Sequence, residues 1–247
     1  MSEFAREFLA ARANRREIAV PPSARDAGFG LDAAYAVESE IAHALIESGR
    51  TIVGRKVGYA NKAMWRILKL ETLVWAHMYD DTVHRTKELA ASSFRSAKIE
   101  PEIVFKLKEP PAVEWMALGF EIIDCPFPDW KFTPVDLVAA WGLHAALVLG
   151  EPRSMETDFA NELATFKLRL SKNGELVEEG SGKNSLRSPA LCLAELATAA
   201  ARRGDPLQAG ELISTGTLTA AQPIACGETW RAEVDGLPVD ALELRFT

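Results

Sequence analysis

The chain has few cysteines and no long apolar run, and each shortage excludes a class of protein. Its three cysteines, an odd number among 247 residues, form no CxxC pair, which argues against a disulfide framework and against a zinc site. No apolar run approaches the roughly 20 residues that a membrane span needs. Residues 1–20 also lack the continuous apolar segment of a secretory signal. We therefore expect a cytoplasmic protein with reduced thiols and no membrane partner.

Positive charge is scarce as well. Lysine and arginine total 28 against 35 aspartates and glutamates, a formal net charge of −7, which argues against nucleic acid as a partner. GxGxxG, P-loop and GxSxG motifs are absent, and the GSGK sequence at residues 180–183 lacks the spacing of a phosphate loop. The hydrophobic content of 48% is typical of a globular protein, and the length suffices for one domain with a full core.

The spacing of apolar residues changes near residue 50. Residues 1–50 have helical character, with apolar side chains three and four positions apart between residues 34 and 45. From residue 51 onward, short apolar or alternating segments predict strands, among them TIVGRKV and EPEIVFKL. Asn173-Gly174 lies between two such segments and predicts a tight hairpin turn.

Two predicted helices interrupt the strands, each opened by a hydroxyl residue before a proline, at residues 133–134 and 188–189. Because strands and helices do not alternate regularly, the pattern favours an α+β fold over a doubly wound sheet or a TIM barrel. We predict a single domain in two parts, an N-terminal helical segment over residues 1–50 and a strand-rich domain over residues 51–247.

Glu100 and Glu102 are the first candidate functional residues. Side chains two positions apart on a strand face the same way, about 6.6–6.8 Å apart along it. Two carboxylates at that spacing can converge on one cation. The alternative is a solvated strand edge in an acidic protein.

Glu121 and Lys56 are unusual for their apolar surroundings. Glu121 lies within LGFEII, and a buried acid needs a partner, a proton or a metal. Lys56 lies between two glycines on a predicted strand, where burial would lower its pKa and suit it to acid–base chemistry. The alternatives are a strand with one face in water for Glu121 and a solvated strand end for Lys56.

The remaining titratable residues give weaker signals. Asp80-Asp81 lies at a predicted strand end, where paired acids are usually turn formers. The four histidines show no spacing typical of metal ligands. Residues 141–150 read as an apolar helix, and we interpret His144 on it as a packed core histidine.

Taken in order, several short motifs resemble the fumarylacetoacetate hydrolase superfamily, and within it the branch of 2-oxopent-4-enoate hydratases and 4-oxalocrotonate decarboxylases. The resemblance covers roughly residues 30–247, and it is the order and spacing of the motifs that make it specific. The motifs are VGRKVG (53–58), YDD (79–81), EPEIVFKL (100–107), FEIID (120–124) followed by DW (129–130), GSG (180–182), DPLQAGELISTGTL (205–218) and ACGETWRAEVDGL (225–237).

The resemblance implies a fold, a site and a cofactor. The fold would be a mixed β-sheet roll, with the catalytic domain in the strand-rich part. The metal ligands would be Glu100, Glu102 and Glu121, holding Mg²⁺ or Mn²⁺. Lys56 would be the catalytic lysine and Asp81 an acid/base. The residues assigned to substrate binding are Lys131 and Thr217. Hard oxygen ligands without thiolate or imidazole agree with such a metal.

The implied activity is hydration of a 2-hydroxy-2,4-dienoate, a small 2-oxo or 2-hydroxy acid, in aromatic-compound catabolism. The alternatives within the superfamily are a decarboxylase, a C–C hydrolase or a tautomerase on a related 2-oxo acid, because the enolate chemistry is shared. A third hypothesis is a non-catalytic binding protein that keeps the fold. We also expect a homo-oligomer, because the acidic chain has many apolar strands.

Two departures from the family pattern concern the substrate. A polar segment of the hydratases corresponds here to Ala140-Trp141-Gly142-Leu143-His144, and a Gly-His-Pro sequence corresponds to residues 187–189, Arg-Ser-Pro. A bulkier or more apolar substrate would suit these changes. Arg187 would either meet a second carboxylate or serve as an ordinary surface charge.

Overall fold

The structure is a computed structural model that describes residues 1–155 and 159–247. Within these residues, three helices precede the first strand and four more follow it. The helices are α1 (Glu3–Asn14), α2 (Pro22–Arg25), α3 (Leu31–Glu47), α4 (Lys62–Leu68), α5 (Pro134–Ala139), α6 (Ala160–Thr165) and α7 (Pro189–Arg202).

Fourteen strands are found in the described residues. They are β1 (Ile52–Gly58), β2 (Val74–Tyr79), β3 (Val83–His84), β4 (Glu88–Leu89), β5 (Ala97–Glu109), β6 (Ala112–Asp124), β7 (His144–Leu149), β8 (Arg153–Ser154), β9 (Lys167–Lys172), β10 (Glu175–Ser181), β11 (Leu212–Ser214), β12 (Gln222–Pro223), β13 (Thr229–Asp235) and β14 (Leu242–Phe246).

The strands form two mixed sheets. The larger has the order β2-β1-β11-β5-β6-β7-β3, with β12 beside β5 and β8 beside β6, and the smaller has the order β10-β9-β13-β14-β4. Parallel pairs, such as β1 with β11, occur among antiparallel ones. The prediction of an α+β fold built on a mixed-sheet roll with N-terminal helices is therefore confirmed.

Alternation along β5 separates a core face from a functional face. Ile103 and Phe105 are fully buried in one cluster with Leu170 and Trp230 of the smaller sheet. Complete burial of each such side chain contributes about 1.5–3 kcal/mol to folding. Since successive side chains on a strand point to opposite faces, the even-numbered positions of β5, including Glu102, are directed away from this core.

The N-terminal helices cover a second apolar cluster. Phe8 of α1 and Ile41 of α3 belong to one cluster with Tyr79 of β2 and with Trp141. The helices thus pack on the segment that joins α5 to β7. The division at residue 50 stays a prediction. No helix among the described residues is long and apolar enough to cross a membrane.

Several local predictions are confirmed. The helix expected around residues 34–45 spans Leu31–Glu47. Asn173 and Gly174, with φ of 52° and 84°, form the turn between β9 and β10, as expected of a tight hairpin with the type I′ sequence. Ser188 caps α7, its side chain accepting a hydrogen bond from the backbone N–H of Ala190.

One local prediction is wrong. Residues 141–150 do not form a helix: residues 141–143 make a tight turn and His144 begins β7. The turn contains Gly142 with φ of 69°, and the strand that follows lies beside β6. An apolar run of this length fits a buried strand as well as a buried helix, and only its sheet neighbours distinguish the two.

Candidate metal centre

The register between β5 and β6 brings three carboxylates together. Glu100 lies directly opposite Glu121, and Glu102 is two positions further along the same face of β5. One oxygen from each residue lies within 4.8 Å of the others. Glu102 and Glu121 are fully buried, which is contrary to the solvated edge and the wet strand face that the sequence had left open.

Glu102 is held by one of its two oxygens. Its Oε2 accepts hydrogen bonds from Ser214 Oγ at 2.5 Å and from the Gly216 N–H at 2.9 Å. Its Oε1 is buried without a hydrogen-bond partner among the described residues. A buried carboxylate oxygen without a donor is costly, and a cation among the three glutamates would satisfy it.

Burial and mutual repulsion disfavour the ionised form of two of these acids. Burial raises the pKa of Glu100 to about 7, with Lys56 opposing the shift and Glu121 adding to it. Burial, with Glu121 and Glu100 nearby, raises the pKa of Glu102 well above its usual value. Metal-free, the group therefore retains protons near neutral pH. A hard divalent cation with oxygen ligands would replace them.

Lys56 lies beside the carboxylates rather than at a solvated strand end. Its Nζ is 3.0 Å from Glu121 Oε2 and donates to the Gly142 carbonyl oxygen at 3.0 Å. Burial alone lowers the pKa of Lys56, but the negative charges of Glu121, Glu100 and Glu102 outweigh it and raise the pKa. The expectation of a lowered lysine pKa is therefore wrong for the metal-free group, because the sequence did not reveal three carboxylates around one ammonium.

Gly142 allows Lys56 to take this position. A Cβ atom at residue 142 would lie 2.7 Å from Lys56 Cδ, closer than real Cβ atoms come to a neighbour, and 3.0 Å from the Ala76 Cβ, tighter than most such contacts. The left-handed backbone of Gly142 (φ 69°) also suits glycine best.

His144 is a site residue that the sequence interpretation missed. Its Nδ1 is 2.9 Å from Glu121 Oε1, and its Nε2 is 3.0 Å from Thr82 Oγ1. Burial lowers the pKa of His144, although Glu121 opposes the shift, so the ring is neutral. Because a carboxylate only accepts, Nδ1 carries the proton and donates it to Glu121. His144 thus fixes one oxygen of Glu121 while the other faces Lys56.

Of the three carboxylates, Glu100 lines a cleft of about 710 Å³. Lys56, Glu100 and Thr217 line it, so the structure brings the predicted substrate residue Thr217 to the same cleft. Its apolar walls include Tyr59, Ile123, Trp130, Phe132, Leu137 and Leu143. A cleft of this size and mixed character suits a small organic acid.

The structure does not bring Asp81 and Lys131 into this group. The Asp81 side chain is 43% exposed and pairs with Arg50 Nε at 2.8 Å. The Lys131 side chain is 80% exposed and pairs with Asp129 at 3.1 Å, although Trp130 and Phe132 on either side of it line the cleft. Their assigned roles stay predictions without support from the geometry.

Metal binding is expected to depend on pH near neutrality. Protons compete with the metal for Glu100, whose pKa is raised to about 7, so affinity for Mg²⁺ or Mn²⁺ should rise between pH 6 and pH 8. Calorimetric titration in two buffers of different ionisation enthalpy measures both the affinity and the protons released. An affinity that is constant over this range, with no proton release, would contradict the assignment.

Two fully buried carboxylates and the partly buried Glu100 lie together with the single ammonium group of Lys56, a set of oxygen ligands that suits a divalent cation. Comparison with known proteins defines the family. The family model described as fumarylacetoacetate (FAA) hydrolase C-terminal matches residues 113–242, more than half of the chain. The chain belongs to the fumarylacetoacetate hydrolase family.

Comparison with individual relatives indicates the branch of the family to which the chain is similar in sequence. The chain is 32% identical to a 4-oxalocrotonate decarboxylase of a Pseudomonas species over 209 residues, 80% of each chain. It is 30% identical to a 2-keto-4-pentenoate hydratase of Paraburkholderia xenovorans, over 85% of this chain and 82% of the relative. The predicted family, its hydratase and decarboxylase branch, and the prediction of an enzyme are confirmed.

A solved structure matches nearly the whole fold. The 4-oxalocrotonate decarboxylase from Pseudomonas putida G7, complexed with magnesium and adipate, superposes with a TM-score of 0.92 at 28% identity, covering 99% of this chain and 96% of that one. The clustered carboxylates of this chain suit a divalent cation, and the relative was solved with magnesium bound. The two observations therefore agree.

Proposed function

We propose that the protein catalyses the divalent-metal-dependent addition of water to a 2-hydroxy-2,4-dienoate, the enol form of a 2-oxo-4-enoate, giving a 4-hydroxy-2-oxo acid. The observation that carries this proposal is the group of Glu100, Glu102 and Glu121 with Lys56 at its side, which reaches an organic-acid-sized cleft through Glu100 and Lys56. Relatives named hydratases at about 30% identity support the reaction type.

The metal and its ligands set where the substrate binds. Glu100, Glu102 and Glu121 would hold Mg²⁺ or Mn²⁺, both suited to oxygen ligands. When bound, the cation supplies charge stabilisation to the carboxylate and 2-oxygen of the substrate as enolate character develops. His144 keeps Glu121 oriented toward the group through its Nδ1–H.

Lys56 is the proposed proton carrier. The 2-hydroxyl group loses its proton as a proton is added at the terminal alkene carbon, which converts the dienol to the conjugated 2-oxo form. Water then adds across the remaining double bond, its hydroxyl to the fourth carbon and a proton to the third. Lys56 Nζ is the buried N–H donor that lines the cleft next to the carboxylates. Asp81 as a second acid/base stays a prediction, because its side chain pairs with Arg50.

Decarboxylation of a related 2-oxo acid is the second candidate function. Relatives named 4-oxalocrotonate decarboxylase align over 80% of the chain or more, and the same enolate stabilisation serves both reactions. C–C hydrolysis and tautomerisation use the same enolate stabilisation as well.

We further propose a cytoplasmic homo-oligomer, as expected from the sequence.

One assay separates these activities. Metal-stripped protein should leave 2-hydroxypenta-2,4-dienoate unchanged, and Mg²⁺ or Mn²⁺ should restore the loss of diene absorbance. Hydration in H₂¹⁸O places the label on the fourth carbon, whereas decarboxylation of a dicarboxylic analogue releases CO₂ and C–C hydrolysis gives two smaller acids. Full activity in excess chelator would contradict the metal role. No turnover across a panel of 2-oxo and 2-hydroxydienoic acids would favour a binding protein.

A further inference from the structure

Positive charges predominate among the charged residues that line the cleft. At its base lie the buried Lys56 and the partly buried Glu100, the one acidic residue of the lining. The other charged residues of the lining are all cations. They are Lys62, Lys98, Lys183 and Arg187. A protein of net charge −7 has many carboxylates to place beside these cations, yet among the described residues none lies within ion-pair distance of them.

Two of these cations are already engaged with aromatic rings. Lys98 Nζ lies 4.0 Å from the centre of the Trp130 ring, and Lys62 Nζ lies 5.5 Å from that of Trp65. Lys183 and Arg187 are exposed and make no side-chain hydrogen bond, ion pair or ring contact within residues 1–155 and 159–247. Their charged groups are thus available to a ligand in the cleft.

The backbone places Lys183 and Arg187 on one wall. The Arg187 N–H donates to the Lys183 carbonyl oxygen at 2.9 Å, closing one turn of chain. The Leu186 N–H donates to the Ala60 carbonyl oxygen at 2.7 Å, which ties this turn to the segment that follows β1. The two cations therefore stand on a fixed turn at the rim of the cleft.

Arg187 keeps its side chain at a backbone position that favours glycine. Its φ is 75°, and that of Leu186 is 49°. A left-handed conformation costs a side-chain-bearing residue free energy that glycine does not lose. Sustained backbone strain at the rim of a functional cleft is a reason to look for a role of the side chain.

From these observations we propose that Arg187, with Lys183, forms a subsite for a second carboxylate at the far end of the substrate. The inference rests on the proposed function for its 2-oxo acid end, which the metal centre takes. A guanidinium group matches a carboxylate with two parallel hydrogen bonds. The preferred substrate is then a 2-oxo or 2-hydroxydienoic acid with two carboxylates, rather than one with an apolar terminus.

A binding experiment tests the subsite without depending on turnover. With saturating Mg²⁺, calorimetry compares adipate with hexanoate, which has the same carbon chain but only one carboxylate. We expect adipate to bind the native protein about tenfold more tightly or better, and Arg187→Gly to remove most of that difference while hexanoate affinity is unchanged. Lys183→Gln should cause a smaller loss.

The choice of glycine keeps the test interpretable. Since φ of 75° suits glycine, Arg187→Gly should fold with an unchanged or higher melting temperature. Arg202→Gln, at the end of α7, removes one exposed arginine that does not line the cleft and should leave the adipate-to-hexanoate ratio unchanged. An unchanged ratio in Arg187→Gly, or equal loss for both acids, would overturn the subsite.

Turnover distinguishes this inference from the proposed function. For a dienoic acid with two carboxylates, Arg187→Gly should raise KM about tenfold, and KM for the matched monocarboxylate should not change. Turnover of both substrates with no effect of Arg187→Gly on either KM refutes the subsite alone. Loss of adipate discrimination in the variant, with no metal-dependent turnover of any substrate, refutes the proposed function and leaves the subsite supported.

Discussion

Replacing Lys56 with methionine is expected to lower kcat by roughly 10³-fold while the protein still binds its divalent metal. A positioned acid or base contributes about 10²- to 10⁴-fold to proton-transfer steps, and Lys56 Nζ is the buried N–H donor that lines the cleft beside the carboxylates. Methionine keeps the length and apolar stem of lysine but cannot carry a proton. Steady-state turnover of 2-hydroxypenta-2,4-dienoate measures the loss.

The metal affinity of the Lys56→Met variant should not fall with its kcat. The Lys56 ammonium lies 3.0 Å from Glu121 Oε2, so it competes with a cation for the same carboxylate. Removing that positive charge should leave Mg²⁺ or Mn²⁺ affinity unchanged or higher, as measured by calorimetry. A variant that lost both activity and metal would show that Lys56 shapes the site rather than moves protons.

A matched control is available on β5. Lys108 is exposed and does not line the cleft, so Lys108→Met should retain native turnover and metal affinity. If Lys56→Met also retained native turnover, Lys56 would be excluded from the mechanism. If both variants lost activity to the same extent, the cause would lie outside the cleft.

The sequence predicted the ligands of this centre better than their surroundings. Strand alternation places Glu100 and Glu102 on one face, which a reader can deduce from EPEIVFKL alone. Glu121 joins them only through the pairing register of β5 and β6. That register depends on a hairpin with shifts near residues 106–109, and local sequence does not specify such irregularities.

Residues that act through long-range contacts escaped prediction for the same reason. His144 reaches Glu121 because β7 lies beside β6 with Ile123 opposite His144, a pairing that joins segments about twenty residues apart. Asp81 and Lys131 were assigned roles by resemblance, but their side chains pair with Arg50 and Asp129 at exposed positions. A family motif fixes the place of a residue in the chain and leaves the direction of its side chain open.

Replacing Glu102 with glutamine is expected to lower metal affinity by more than about 100-fold and to reduce turnover to near background. Loss of an outer partner of a metal ligand already costs about 10- to 100-fold in affinity, and Glu102 is one of only three clustered carboxylates in the part of the chain that the structure describes. The amide oxygen of glutamine can still accept from Ser214 and Gly216, so the local packing should persist.

The stability of the metal-free Glu102→Gln variant should be unchanged or higher, although its metal affinity falls. This difference distinguishes a metal-ligand role of Glu102 from a structural role. Burial and the neighbouring acids raise the pKa of Glu102 in the folded protein, so its contribution to stability is present at low pH and is lost as pH rises through the unfolded value toward the folded one. At pH 8, well above the ordinary carboxyl pKa, this raised pKa therefore opposes folding of the metal-free protein. Glutamine carries no charge, so metal-free Glu102→Gln should melt at an equal or higher temperature than the native chain.

Differential scanning calorimetry at pH 8, with and without Mg²⁺, measures both effects. Native protein should gain melting temperature with metal, whereas Glu102→Gln should gain none. Glu109→Gln, an exposed position at the end of β5, should respond like the native chain. A Glu102→Gln protein that melted far below the native one without metal, or that gained as much from Mg²⁺, would mean that Glu102 serves the fold and not the cation.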